Sequence, residues 1–382
     1  MTFASPALRG LARLSIVVSV LATGSLVWLY RFAPLRDPMI ELARYMPFLV
    51  YLVPALLALG LSLLLGWLWR VAALAAVALL LTVVMDVSTG LHRAEPPADP
   101  AAAGVRAVRF MTYNIKSYRA AFREGGFVPL NNEIETHQPD ILVMQDAREV
   151  SRAGDLPYGM RDALPKHRLY AYGQYAVASR FPLSDCRHED MSFRGEKHEY
   201  VRCTVDIDGT RVDIVTAHLL TPREGLNATR FELLQGLDDW RQNYADRQAQ
   251  ADTLVRALGP LRRPTLLAGD LNAPEHASVV QTLTRGLGLR DAFSAGGRGW
   301  GYTHGHSLKP GLSFLRIDHI LVSPEIGVSS AHVGWRGGSE HRPVIADLLI
   351  PVGQPDGKAV DKPVEKPVDK SKSRASSSRS GA

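Results

Sequence analysis

Hydrophobic and polar positions divide the chain into three regimes. Between Arg13 and Arg31 no charge occurs, Arg44 and Arg70 enclose 25 uncharged residues, and VAALAAVALLLTVVM follows from Val71 to Met85. A bilayer core about 30 Å thick needs roughly 20 apolar residues in a helix. The pattern therefore predicts a membrane anchor over 1–93 with two or three transmembrane helices, at about 12–31, 46–69 and 71–91, the last needing Asp86 and some following residues to reach spanning length. The second run exceeds the apolar core of a cleavable signal peptide, which favours an anchor.

Past the anchor the pattern changes. AEPPADPAAAG, at 94–104, reads as a Pro/Ala linker. From 105 to 350 short runs such as VRFMTYNI, DILVMQD, YAVASRF, YVRCTVDI, RVDIVTAHL, PTLLAGDLN, RIDHILVS and PVIADLLI are strand-like, with β-branched residues and turn signals at their ends. Helical periodicity lies between them, most clearly over 228–258. Strands flanked by helices predict an α/β fold, a layered sandwich covered outside by helices. The tail, 351–382, repeats a Lys-Pro-Val theme with few apolar residues, and is expected to be disordered.

Charge sharpens this picture. The chain carries 44 Lys+Arg against 38 Asp+Glu, but the excess sits at its ends: 7 against 4 over 1–95 and 7 against 4 over 351–382. The segment 96–350 holds 30 of each sign, so it lacks the bulk basic footprint of a domain that grips nucleic acid. Orientation stays open, because Arg9, Arg13 and Arg70 on one side face Arg31, Arg36, Arg44 and Arg93 on the other. Cys186 and Cys203, 17 apart around Gly195, suit either a hairpin disulfide or two buried thiols. Together with three spans, a disulfide would place the domain outside the cytoplasm.

Chemistry enters at the strand ends. Asn114 closes the first strand, Asp146 the second and His218 a later one; Asp270 and Asn272 end the next, Asp318 belongs to another, and Glu340-His341 precedes the last. Carboxylates and imidazoles converging at one rim repel one another without a divalent cation. A lone GDLN reads equally as a strand-ending Asx turn; six such ends in order do not. No Walker lysine loop, HExxH or GxSxG occurs.

The series TYNI, ILVMQD, TAHL, GDLN, IDHIL and SEHRP, in that order over about 107–350, resembles the endonuclease/exonuclease/phosphatase superfamily. That resemblance implies a four-layer α/β sandwich of the DNase I-like kind and Mg²⁺-dependent cleavage of a phosphoester, with Mn²⁺ as the alternative ion. It casts Asp270 as the group that orients or deprotonates the attacking water. Asn272 would hydrogen-bond that water or a phosphate oxygen. His341 would stabilise the transition state or protonate the leaving oxygen, with Asp318 fixing its tautomer, and His218 would be a second donor across the phosphate. Asn114, Asp146 and Glu340 would hold the metal.

Two residues depart from the family pattern: Asp146 stands where Glu is usual, and Glu340 where Asp is usual. One carboxylate loses a methylene and the other gains one, as if to follow an ion shifted toward Asp146; the rival reading is a weakened site in a non-catalytic binding module. Lys116, where AP-type nucleases often carry another acid, argues against a two-metal nuclease site. A His304/His306 loop rich in glycine is expected over the site mouth. Membrane anchoring with a neutral domain points to a phosphodiester or phosphomonoester at a membrane surface, such as a lipid head group. A membrane-tethered nuclease is the second reading.

Overall fold

The computed structural model describes residues 5–32, 36–45, 49–231, 233–305 and 313–353; the expected tail beyond 353 and His306 lie outside them. Among the described residues twelve strands form the domain: β1 (Val105–Asn114), β2 (Ile141–Gln145), β3 (Arg168–Tyr172), β4 (Tyr175–Ser179), β5 (Leu183–Asp190), β6 (Glu199–Ile207), β7 (Thr210–Thr216), β8 (Thr265–Asp270), β9 (Arg290–Asp291), β10 (Asp318–Val322), β11 (Gly327–Val333) and β12 (Val344–Pro351). They make two six-stranded sheets, ordered β11-β12-β1-β2-β4-β3 and β5-β6-β7-β8-β10-β9.

The period-two alternation of strands builds the layers. Along β1, Val108 and Phe110 face a core shared with Val205, Ile214, Leu266 and Ile320 of the other sheet. Met111 and Tyr113 face the opposite way, onto Leu130 and Ile134 of the helix Val128–His137. In the second sheet, Leu266 and Ala268 point inward while Leu267 packs under Trp240 and Leu254 of the helix Leu233–Leu258. Helices outside, two sheets within: this is the four-layer α/β sandwich expected. Cys186 and Cys203 are joined as a disulfide between β5 and β6.

The apolar region differs from expectation. Helix Pro6–Arg31 is long, but the second run does not form one helix over 46–69: its helix, Leu49–Ser62, has 14 residues, about 21 Å at 1.5 Å per residue. A turn at Leu63–Gly66 breaks it, and a new helix starts at Trp67 and runs through a π turn to Val84. Among the described residues two helices are long and apolar enough to cross a membrane, Pro6–Tyr30 and Trp67–Val84. Ala12 and Ile16 pack with Ala58 and Ala73 at one end of this bundle, and Tyr30 with Tyr51, Ala55 and Val84 at the other.

The end of the expected anchor also meets the sandwich. Ser88, expected within a span over 71–91, exchanges backbone hydrogen bonds with Gly299 (2.8 and 2.9 Å), and the N–H of Ala94, at the start of the expected linker 94–104, donates to Val328 O. Helix Pro38–Arg44 is seated there too, with Glu41 and Arg44 buried.

One glycine is dictated by the approach of β7 to β8. Gly269 has φ +151°, and a Cβ there would stand 2.0 Å from Ala217 O. Gly269→Ala is expected to destabilise the protein by about 3 kcal/mol or more, read from denaturant unfolding; a loss below about 1 kcal/mol would show that the strands can part.

Candidate active site

Topology gathers the functional side chains at one rim. β1, β2, β7 and β8 deliver theirs at or just past their C-terminal ends. β10 is antiparallel to β8 and β12 to β1, so at this rim they offer their beginnings: Asp318 opens β10, and His341 lies just before β12. Asp318 is the register partner of Asp270. Each carboxylate is 1% exposed.

Like charges placed opposite each other destabilise a sheet, so the surroundings of this pair matter. The His341 ring touches both carboxylates, with Nδ1 2.9 Å from Asp318 Oδ2 and Nε2 3.6 Å from Asp270 Oδ2. Asn114 Nδ2 donates to the same Asp270 oxygen at 2.9 Å, and His218 Nε2 lies 3.4 Å from it. His218 Nδ1 sits 2.8 Å from Gln174 Oε1 and 3.9 Å from Asp146 Oδ1. Asp270 Oδ1 accepts from the Asn272 N–H at 3.0 Å, an Asx turn that places Asn272 at φ +50°. The Asn272 amide nitrogen donates to Leu219 O at 2.9 Å.

Two of the three expected metal ligands are held by cations instead. Lys116 Nζ lies 2.8 Å from Asp146 Oδ2. Glu340 is ion-paired with Arg119 and is 3.8 Å from Arg123. The ligand atoms that do converge come from Asp270, Asp318 and His341, all within 4.8 Å of one another. Two buried carboxylates in register supply hard oxygen donors and an excess of negative charge, which fits a hard divalent cation.

Burial sets the protonation of the central pair. It raises the Asp318 carboxyl to about 7, against Thr303 and the neighbouring cations. It lowers the His341 imidazole to about 4, although Asp270 pulls the other way. A group that resists ionisation at each end keeps a proton within the Asp318–His341 hydrogen bond, and Asp270 facing Nε2 favours a proton on that nitrogen. Burial also pushes Asp146 upward, but His218 and Lys116 outweigh it and hold the carboxyl below its ordinary range.

Several contributors, His304 excepted, escaped the sequence reading. Thr303 Oγ1 accepts from the N–H groups of Ile317 and Asp318 (3.2 and 3.3 Å), pinning the start of β10. The His304 ring stacks on His341 with centroids 4.5 Å apart, so this half of the expected loop does cover the site. Gln145 Nε2 donates to Thr216 Oγ1 at 2.9 Å, tying the two sheets together beneath the rim. The glycine-rich stretch around Thr303 was a visible signal. Gln174, in the turn between β3 and β4, left none.

Residues 111–341 match the profile described as Endonuclease/Exonuclease/phosphatase family. The chain belongs to that family and is a metal-dependent phosphoester hydrolase. Among solved structures it is similar to an endonuclease/exonuclease/phosphatase from Beutenbergia cavernae, at 20% identity over 64% of this chain and 72% of that one, TM-score 0.46. It is also similar to a family protein from Bacteroides thetaiotaomicron (16% identity, 64% and 98% covered, TM-score 0.47). A mannosyl-6-phosphatase from the same species gives 15% identity, 63% and 99% covered, and a TM-score of 0.44. No curated protein matches the chain.

Asp318→Asn would remove the carboxyl that shares a proton with His341 Nδ1 and fixes the tautomer of its ring. We expect kcat on bis-p-nitrophenyl phosphate to fall by about two to four orders of magnitude with the fold retained; a rate within threefold of wild type would contradict the pairing.

Proposed function

We propose that this chain is a membrane-anchored, Mg²⁺-dependent phosphoesterase that hydrolyses a phosphodiester or phosphomonoester at a membrane surface. The observation that carries the reading is the convergence of Asp270, Asp318 and His341 at one rim. Asp270 orients and deprotonates the attacking water, and Asn272 bonds that water or a phosphoryl oxygen. His341, aimed by Asp318, presents its Nε2 proton to the phosphoryl group or the leaving oxygen. His218, held by Gln174 through Nδ1, is the second donor.

A divalent cation, when bound, would neutralise phosphoryl charge. Asp270, Asn114 and Asp146 would hold it, Asp146 in competition with Lys116. Glu340 would reach it only by leaving Arg119, so it is the weakest of the three ligands the resemblance implies. Asp146→Asn is therefore expected to raise the Mg²⁺ concentration for half-maximal activity on the order of tenfold or more, and Glu340→Gln by no more than about threefold. Equal effects would return Glu340 to the metal.

The anchor reading is supported by both connections. Helix Pro38–Arg44 and residues 86–94 rest on the domain, so the far end of the bundle carries Pro6 and the Leu63–Gly66 turn. Arg9, Arg13 and Arg70 belong to that end. At the near end Arg36 is paired with Asp252 and Arg44 with Glu41. The Cys186–Cys203 disulfide agrees with an extracytoplasmic domain, which leaves the far end of the bundle to the cytoplasmic side. Leu14, Leu21, Leu57 and Leu68 are each 60% or more exposed along the bundle, as a lipid-facing surface requires.

The substrate is separated by a panel: full-length protein in detergent with Mg²⁺, offered bis-p-nitrophenyl phosphate, a choline phospholipid and plasmid DNA, with Asp270→Ala as control. Hydrolysis of the first two, abolished in the variant and by a chelator, is the expected result. Preferential DNA cleavage with steep salt dependence would favour the tethered nuclease. No turnover with metal present would favour a binding module.

A further inference from the structure

The short helix between the first two apolar helices does more than connect them. Asp37 caps it by accepting from the Met39 and Ile40 N–H groups, and Pro38 occupies its first turn, where a missing N–H costs nothing. Its far side is buried in the sandwich. Trp240 Nε1 donates to Pro38 O at 2.5 Å, and Glu41 accepts from the Ser278 N–H at 3.0 Å. Arg247, 0% exposed, donates to the Tyr45 hydroxyl and lies over the rings of both Tyr45 and Trp240, 5.1 and 5.3 Å from their centroids.

Tyr45 is where this segment meets the catalytic rim. Its hydroxyl, oriented by the Arg247 guanidinium, donates to Asn272 O at 3.0 Å. Asn272 occupies the left-handed region, which a residue with a side chain keeps only when its surroundings hold it there. Its amide nitrogen is held by Leu219 O and its N–H by Asp270; the Tyr45 hydroxyl holds the carbonyl. Without that bond the peptide after Asn272 loses its partner, and the side chain can swing with it.

We infer that Tyr45 is a positioning residue of the active site, acting through Asn272, so that residues 36–45 of the apolar region complete the catalytic centre. The inference rests on reading Asn272 as the ligand of the attacking water or phosphate. It makes the site dependent on how the anchor is seated, a dependence that strand-end motifs alone do not contain.

The test uses full-length protein in detergent with Mg²⁺ and bis-p-nitrophenyl phosphate, comparing wild type, Tyr45→Phe, Asn272→Ala and the double variant. Phenylalanine keeps the ring packing and removes only the donor. The expected result is a kcat lowered on the order of tenfold in Tyr45→Phe, with KM unchanged and no further loss when Tyr45→Phe is added to Asn272→Ala. A wild-type kcat, or the same tenfold loss in the Asn272→Ala background, would overturn the inference. Asp37→Ala removes the cap on Met39 and Ile40 and loosens the same helix away from Tyr45 and Arg247, so it should leave kcat at wild type; an equal loss there would assign the effect to docking in general and overturn it too. Wild-type activity in Asn272→Ala would be a different failure, removing the catalytic reading of Asn272 and the inference with it.

Discussion

Asp270 and Asp318 lie buried and in register on adjacent antiparallel strands, and the rest of the rim is arranged around that constraint. Two carboxylates so placed are unfavourable in low dielectric unless donors, a shared proton or a cation offset them. The chain supplies polar partners on every side: Asn114 and His218 toward Asp270, His341 between the two carboxylates, and Thr303 accepting from the backbone of Asp318. The raised Asp318 and lowered His341 express the same constraint as protonation. A site built this way has an unmet demand for positive charge, which is the property a metal-dependent phosphoester hydrolase uses.

A second layer holds the loop after Asp270. His319 bridges Asp291, 2.7 Å from Nδ1, and Ala273 O, 2.8 Å from Nε2. Buried Arg316 pairs with Asp291, Glu275 and, at the foot of the last apolar helix, Asp86. Burial raises Glu275 to about 7, while Arg316 and His319 hold Asp291 well below its ordinary range against its own burial. Breaking such a buried network leaves an uncompensated charge, which disfavours other placements of the segment 271–276. Tyr45 and Asp86 thus tie the loop to the apolar region as well as to the sheet.

Much of this was legible in the chain. Period-two alternation and the order of strand-end motifs contained the sandwich and the rim, because side-chain parity and strand direction leave little freedom once the sheets form. What was hidden has a common physical character. Strands β3, β9 and β11 are short or polar and gain their place from neighbours. Asp146 and Glu340 were expected as metal ligands without the cations that pair with them, although Lys116 was noticed as an oddity. The break at Leu63–Gly66 is invisible to a count of uncharged residues. The seating of helix Pro38–Arg44 was hidden most deeply, because its partners Trp240, Arg247 and Ser278 lie about 200 residues away in sequence.

The proposed function places a single divalent ion in the hollow framed by Asp270. Titration of the full-length protein with Mn²⁺, followed by electron paramagnetic resonance of the free ion, measures it directly. One saturable ion per chain, displaced by Mg²⁺ and lost in Asp270→Asn, is the expected result. Absence of saturable binding, or binding that survives Asp270→Asn unchanged, would contradict it.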